Sequence, residues 1–343
     1  MDLRKQSLTT PLLALAPMQE VTGLPFWSVI HNHGDPDLYF TEYIRVHVDS
    51  RPQKERQILR AISENPTGKP AAIQMIGRDI PALIRTADYL QRFPGISAID
   101  LNLGCPSPTV CSKNAGGGLL RNPTEIDAIL TALRDTITET NFTVKTRVGF
   151  DSPDEFDRLL DVFAKHPIDL LSVHGRTVRE KYATAVHHDK IAQAVRTLSC
   201  PVLANGNVVS VRTAELTLAE TGAAGLMVGR GVIRNPFLFA QIKAHLTETS
   251  HPQPTLRDIH HYIHQLRRAL HIGGVSDTIN VSALKRYLNF IGQGINAGEF
   301  IYEAKRALTS NDLDRILDTH LLDDSPFPDE PPHDNPIFAG LVT

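Results

Sequence analysis

The 343-residue chain is 41% hydrophobic and 21% charged with a formal net charge of −3, the balance of a folded globular protein, which excludes a mainly disordered chain. No apolar run approaches the roughly 20 residues that a membrane helix needs, and the amino terminus MDLRKQSLTT lacks the apolar stretch of a signal peptide, so a cytoplasmic protein without membrane contact is expected. Cys105, Cys111 and Cys200 cannot all pair, and their spacing fits neither a zinc ribbon nor a haem attachment site, which points to a reducing compartment.

Read from the amino terminus, eight short apolar runs alternate with stretches of helical character: residues 12–16, 38–41, 71–75, 98–101, 143–146, 170–174, 202–204 and 225–228. Eight strand–helix units predict an α/β fold, a (β/α)8 TIM barrel, over residues 1–248. Helix starts of the expected chemistry lie between the runs: Asn122-Pro123 followed by Glu125, Ser210 before Val211, and Asn235-Pro236 before Phe237. At His251-Pro252-Gln253-Pro254 the alternation stops, and a C-terminal all-helical domain is expected over 249–322. There Leu284, Tyr287, Leu288 and Ile291 recur at the spacing of one helix face, with Lys285 and Arg286 beside them. Residues 323–343, with the segment DDSPFPDEPPHDNP, predict an acidic, proline-rich, solvated tail. That tail holds Asp323, Asp324, Asp329, Glu330 and Asp334 and no Lys or Arg, so residues 1–322 carry 35 basic and 33 acidic groups. A nucleic-acid partner would therefore depend on how the cations are arranged rather than on net charge.

Chemistry in such a barrel sits at the carboxyl ends of the strands. The runs end in Ala16-Pro17-Met18-Gln19, Thr41-Glu42, Gln74, Asn102-Leu103-Gly104-Cys105-Pro106, Lys145 and Arg147, His174-Gly175-Arg176-Thr177, Asn205-Gly206-Asn207 and Gly229-Arg230-Gly231. Nearly all of these are polar, cationic or glycine, which suits an anionic ligand with a flat, hydrogen-bonding head. The glycines and Arg230 after the seventh and eighth runs suit a phosphate, although small residues also serve simply to turn tightly at strand ends. Gln74, Lys145 and His174 would face the ligand's ring. The pairs His31 and His33, and His187 and His188, have no accompanying Cys or carboxylate at ligand spacing, so no metal is expected. No glycine-rich dinucleotide fingerprint or phosphate loop is present, so a separate dinucleotide domain is not expected.

Taken together, Ala16-Pro17-Met18, Thr41-Glu42, Gln74, Asp100 to Pro106, Lys145-Thr146-Arg147, His174 to Thr177, Ala204-Asn205-Gly206 and Gly229-Arg230-Gly231 resemble the tRNA-dihydrouridine synthase family over nearly all of residues 12–240. The Asn-Leu-Gly-Cys-Pro segment, followed by Val110 and Gly116-Gly117-Gly118, is the most diagnostic stretch. The resemblance implies non-covalent FMN held by Pro17, Met18, Gln19, Gln74, Lys145, Asn205, Gly206, Asn207, Gly229 and Arg230, with His174 over the flavin, Cys105 as proton donor, and NADPH as transient electron donor. Residues 40–46 and 284–290 look most like the bacterial synthase C branch, which modifies position 16 of the tRNA D-loop; Glu42 and Arg45 are assigned to the tRNA side.

The chemistry can also be argued from the reaction. Saturating the C5=C6 bond of uracil takes a hydride, which no side chain supplies, and a proton, which one can. A free thiol, with a pKa of about 8.5, is mostly protonated at neutral pH and can serve as the acid. Cys105, between Gly104 and Pro106 at a strand end, fits that role; Cys111 and Cys200 read as small buried hydrophobes. A uridine in folded tRNA must be drawn out of its stack, at a cost of a few kcal/mol. Lys285 and Arg286, with Arg267 and Arg268, are candidates for phosphate contacts, or else form a solvated helix face. Asn102, Arg176 and Tyr182 are candidates for contacting the base. Two rival readings stay open: an FMN-dependent dehydrogenase of a free dihydropyrimidine or dihydroorotate, and a non-catalytic RNA-binding barrel. The cation-bearing helical segment speaks against the first, and Cys105, Lys145 and His174 together speak against the second.

Overall fold

The computed structural model describes residues 3, 10–333 and 335–339. Most of the amino-terminal segment read above for a leader, and Asp334 of the tail, lie outside them. Eight parallel strands close into a barrel in sequence order, from β1 (Leu12–Leu15) and β2 (Leu38–Val46) round to β8 (Gly225–Val228), which pairs with β1. Between them come β3 (Ala71–Gly77), β4 (Ile96–Leu103), β5 (Asn141–Arg147), β6 (Leu170–His174) and β7 (Val202–Asn205). This is the (β/α)8 barrel that the eight apolar runs predict.

Helices α1 (Leu24–Ile30), α2 (Arg56–Ser63), α3 (Ile80–Gln91), the short α4 (Pro108–Cys111), α5 (Pro123–Thr136), α6 (Phe156–Phe163), α7 (His188–Thr197) and α8 (Val211–Thr221) alternate with the strands. Two of the three expected helix starts are present. Asn122 accepts the Glu125 N–H with Pro123 in the first turn, and Ser210 forms a capping box with Thr213. After β8 follow α9 (Arg230–Arg234) and α10 (Leu238–Leu246). The third expected start differs: α10 begins at Leu238 without a side-chain cap, and Asn235 ends the helix before it.

Strand periodicity explains both core and site. Side chains alternate across a strand, so Leu12, Ala14 and Ala16 join Leu38, Phe40, Ala72, Ala98, Leu170, Leu203 and Met227 inside the barrel, while Leu13 and Leu15 pack outward beneath the helices. Continuing each inward row towards the carboxyl end brings up Gln74, Asn102, Lys145, His174 and Asn205. Register pairs Asn102 with Lys145, and His174 with both Arg147 and Asn205, so polar residues from β4 to β7 arrive at one level.

Strand β2 departs from expectation. It runs to Val46 through a register shift between Phe40 and Tyr43, so Thr41 and Glu42 do not close the strand. The Thr41 hydroxyl instead accepts the Gln74 N–H at 3.1 Å.

The carboxyl-terminal helices are α11 (Leu256–Leu270), α12 (Asp277–Ile291), α13 (Glu299–Ala304) and α14 (Ser310–Leu321). The predicted face of α12 is buried, and its Tyr287 hydroxyl donates to the Val21 carbonyl at 2.6 Å while the ring stacks on Phe26. Tyr262 of α11 donates likewise to the Ile233 carbonyl. Among the described residues, no helix is long and apolar enough to cross a membrane.

Among its described residues, the tail is anchored to the body at several points, where its composition predicts a fully solvated segment. Phe327 and Phe338 are fully buried, Glu330 pairs with Arg212 at 2.8 Å, and Pro326 bridges to Thr255. The carbonyls of Pro328, Asp329 and Glu330, with that of Gln293, surround the buried guanidinium of Arg234. Proline removes backbone donors but leaves acceptors, so this segment can be buried against arginines with few unmet N–H groups.

Candidate active site

A cavity of about 650 Å3 opens at the carboxyl ends of the strands. Pro17, Met18, Gln19, Lys145, His174, Asn205, Gly206, Asn207, Gly229 and Arg230 line it, as do Cys105, Asn102, Arg45 and Tyr182. Most of the candidates read from the sequence thus line one space.

Gln74 is not in the wall. It is completely buried beneath it, donating to Asp100 at 2.7 Å and accepting from Asn102 at 2.7 Å. Asn102 in turn accepts the N–H groups of Gly104 and Cys105. Asp100, Gln74 and Asn102 thus form a relay that sets the backbone of the Cys105 loop; Gln74 supports the wall from beneath where contact with the ligand was expected, while Asn102 also lines the cavity. The glycine run backs the same loop. Gly117 donates to the Cys105 carbonyl at 3.1 Å, and a Cβ there would lie 2.8 Å from that oxygen, so only glycine fits.

Cys105 is half-buried and packs against the cluster formed by Tyr43, Ile76 and Val110. Burial, then the neighbouring thiol, pushes Tyr43 up to about 12, so the phenol remains a donor. Sequence reading missed Tyr43 because it ended β2 too early. Two positions past Thr41 on the same strand was the available signal. Glu42, by contrast, is turned towards Gly23 and Glu20, outside the cavity wall, and burial raises its carboxyl.

Electrostatically the site is an excess of cations. Burial, then Arg147, lowers Lys145 to about 8; burial and the surrounding Arg147, Lys145, Arg176 and Arg230 drive His174 well below its ordinary value, so it is neutral at physiological pH. Asp100, the acid beneath them, is pushed by burial up to about 6. Desolvated cations without matching acids favour an anionic ligand. Gly206, at φ +131° and with His174 Cδ2 3.3 Å from where its Cβ would stand, keeps the β7 rim low beside them.

Three predicted substrate contacts already hold protein partners. Arg176 is fully buried, donating to the carbonyls of Thr184 and Ala339 and, more distantly, to His174 Nε2, so it positions the histidine and cannot reach RNA. Lys285 holds the carbonyl of Lys305 at 2.9 Å and that of Ala307, and Arg286 pairs with Glu20 at 2.7 Å. Tyr182 remains exposed at the mouth, its ring 4.5 Å from the Arg230 guanidinium.

The tail reaches this site too. Ile337 O accepts from Arg230, and Ala339 O accepts from Asn207 and Arg176 at 3.0 Å each. Phe338 between them is buried against Val209 and packs edge-on against Phe290.

A family model described as "Dihydrouridine synthase (Dus)" matches residues 14–320. A probable tRNA-dihydrouridine synthase of Helicobacter pylori is 32% identical over 69% of this chain and 71% of its own. The tRNA-dihydrouridine synthase B of Pseudomonas putida is 30% identical over 76% of each chain. The tRNA-dihydrouridine(16) synthase of Haemophilus influenzae is 30% identical over 87% of this chain and 96% of its own. Among solved structures, histamine dehydrogenase from a Rhizobium species shares the fold with a TM-score of 0.55 at 13% identity, covering 90% of this chain and 62% of that one.

Proposed function

From the premise that the chain belongs to the dihydrouridine synthase family, we propose that it reduces a uridine C5=C6 bond in tRNA, with FMN as cofactor and NADPH as electron donor, in the cytoplasm. The observation that carries the reading is the half-buried Cys105 on the wall of a cavity otherwise ringed by cations.

The residues present fit a flavin mononucleotide. Arg230 and Asn207, with Gly206 and Gly229, form the side suited to a phosphate, and Lys145 with Asn205 and neutral His174 form the side suited to a polar ring. Bound there, the flavin supplies the hydride for C6 of uracil. Cys105 Sγ gives the proton to C5, and the Tyr43 hydroxyl, held protonated, donates to the sulfur that is left. Lys145, held by its hydrogen bond to Asn205 at 3.3 Å, would offer its positive charge to the ring. Tyr182 and Arg45, exposed at the mouth, are placed to meet the extruded nucleoside.

The free-base alternative fits less well, because the family match runs through the helical domain to residue 320, well past the barrel. Position 16 of the tRNA is the target that the alignments favour. The relative named for that position aligns over 96% of its length, against 76% for the B-type relative. The test is to incubate unmodified tRNA transcript with the holoenzyme and NADPH and map dihydrouridine by mass spectrometry. Product at position 16 is expected; product elsewhere would overturn the position, and none at all would overturn the activity.

A further inference from the structure

Away from the barrel mouth, α11 and α14 bring His260, His264 and Asp318 together, and among the described residues their ligand atoms all lie within 4.8 Å of one another. His260 and His264 are one turn apart on α11 and so share a face, with ring centroids 4.4 Å apart. The Nε2 atoms of the two rings are 3.3 Å apart, and His260 Nε2 is 2.9 Å from Asp318 Oδ1. Ligands at zinc distances of about 2.0–2.2 Å and tetrahedral angles stand about 3.3–3.5 Å from one another. The first separation matches that edge, and the second needs only a small opening of the exposed Asp318 side chain.

The proton count favours a cation. One hydrogen on His260 Nε2 cannot serve both Asp318 Oδ1 and His264 Nε2, so with neutral rings and no cation one of these two contacts is left unmatched. His260 Nδ1 is buried without a partner, so nothing on that side of the ring fixes its tautomer. Arg267 does not neutralise the site's carboxylate, because it is paired with Asp314, one turn before Asp318 on α14.

We propose that His260, His264 and Asp318 form a binding site for a divalent late first-row metal ion such as zinc, water completing the tetrahedron, that staples α11 to α14. Two imidazoles and one carboxylate suit such an ion better than magnesium or calcium, which take oxygen ligands. The site is separate from the flavin cavity, whose lining contains none of the three residues. Its role is structural, tying together parts of the chain 58 residues apart.

The test uses the full-length flavin-bound protein, stripped of metal with a chelator and titrated with Zn2+ against a competing indicator. One equivalent should bind, and the melting temperature should rise with Zn2+. His264→Ala and Asp318→Asn should each weaken that equivalent at least tenfold and abolish the thermal shift, while His261→Ala, on the exposed side of α11, should leave both unchanged. Because Asp318 is largely exposed, its variant should fold even if a histidine variant does not. Co2+ should show tetrahedral absorption to the red of the flavin bands in wild type and lose it in Asp318→Asn. Zinc binding that is absent, or is unchanged in both His264→Ala and Asp318→Asn, would overturn the proposal.

Discussion

The side-chain oxygen of Asn102 accepts the backbone N–H of Cys105 at 2.9 Å, and the Asn102 amide is itself held by Gln74. The thiol is therefore placed by a buried polar relay that runs beneath the cavity. Cys105→Ser should keep flavin bound and reducible by NADPH, while oxidation of pre-reduced enzyme by tRNA slows at least about 10²-fold, because a hydroxyl is a far weaker acid. Asn102→Ala should slow the same step with flavin still bound, since the loop loses two N–H contacts. Near-wild-type single-turnover rates in Cys105→Ser would sink the assignment of the proton donor.

Lys145 gives the site a pH dependence of calculable sign. Its folded value of about 8 lies below the ordinary 10.5, because burial and Arg147 disfavour the charge. In the flavin-free protein the cost of that buried charge is fully present below about pH 8 and is relieved as pH rises towards 10.5, so this group makes the empty protein more stable at alkaline pH. Flavin affinity should run the opposite way: an anion prefers the protonated form, so affinity is full below about pH 8 and falls by up to about tenfold per unit above it. Lys145→Arg, charged throughout, should bind without that inflection, whereas Lys145→Ala should bind weakly at every pH. A wild-type binding profile flat from pH 7 to 9.5 would refute this role.

How much of this was legible in the sequence depended on separation along the chain. The barrel and its inward rows follow from period-two patterning, which is local, and so Lys145, His174 and Asn205 could be placed at one rim before any contact was known. Tyr43 was missed because the irregular pairing at Phe40 and Tyr43 interrupts that pattern. Arg176 was misassigned because its partners come from a loop eight residues on and from the tail 163 residues on. The tail's composition reads as solvated, yet Ile337 and Phe338 are apolar, and its backbone acceptors have no sequence signature. The four-residue spacing of His260 and His264 on a helical stretch was a signal the sequence reading did not take up, and Asp318 beside them has no local signature.

The tail should govern how firmly flavin is held. The Ile337 and Ala339 carbonyls orient Arg230, Asn207 and Arg176, and each hydrogen bond of this kind is worth about 1 kcal/mol net. Removing residues 335–343 should therefore raise the flavin dissociation constant roughly tenfold, and Phe338→Ala should reproduce part of the loss by freeing the buried anchor. Recovery of flavin fluorescence on dilution measures the release rate. Unchanged affinity and release in the truncated chain would reduce the tail to packing.

The helical domain separates cations that hold structure from those open to RNA. Lys285 sits on the carbonyls of Lys305 and Ala307 at the end of α13, a position that a cation stabilises, so Lys285→Met should lower the melting temperature by roughly 2–4 °C for each kcal/mol lost. Arg286 joins α12 to Glu20 on the cavity rim, and an exposed pair of this kind contributes about 0–1 kcal/mol, so Arg286→Glu should act mainly by setting two carboxylates together at that junction. Arg268, exposed in the last turn of α11, is the better candidate for a phosphate contact. Arg268→Glu should leave the melting temperature unchanged, weaken tRNA binding, and reduce the slope of log affinity against log salt by about 1. If Lys285→Met instead reduced that slope without lowering the melting temperature, the ammonium would have to leave its two carbonyls to reach RNA, and this division of the cations would fail.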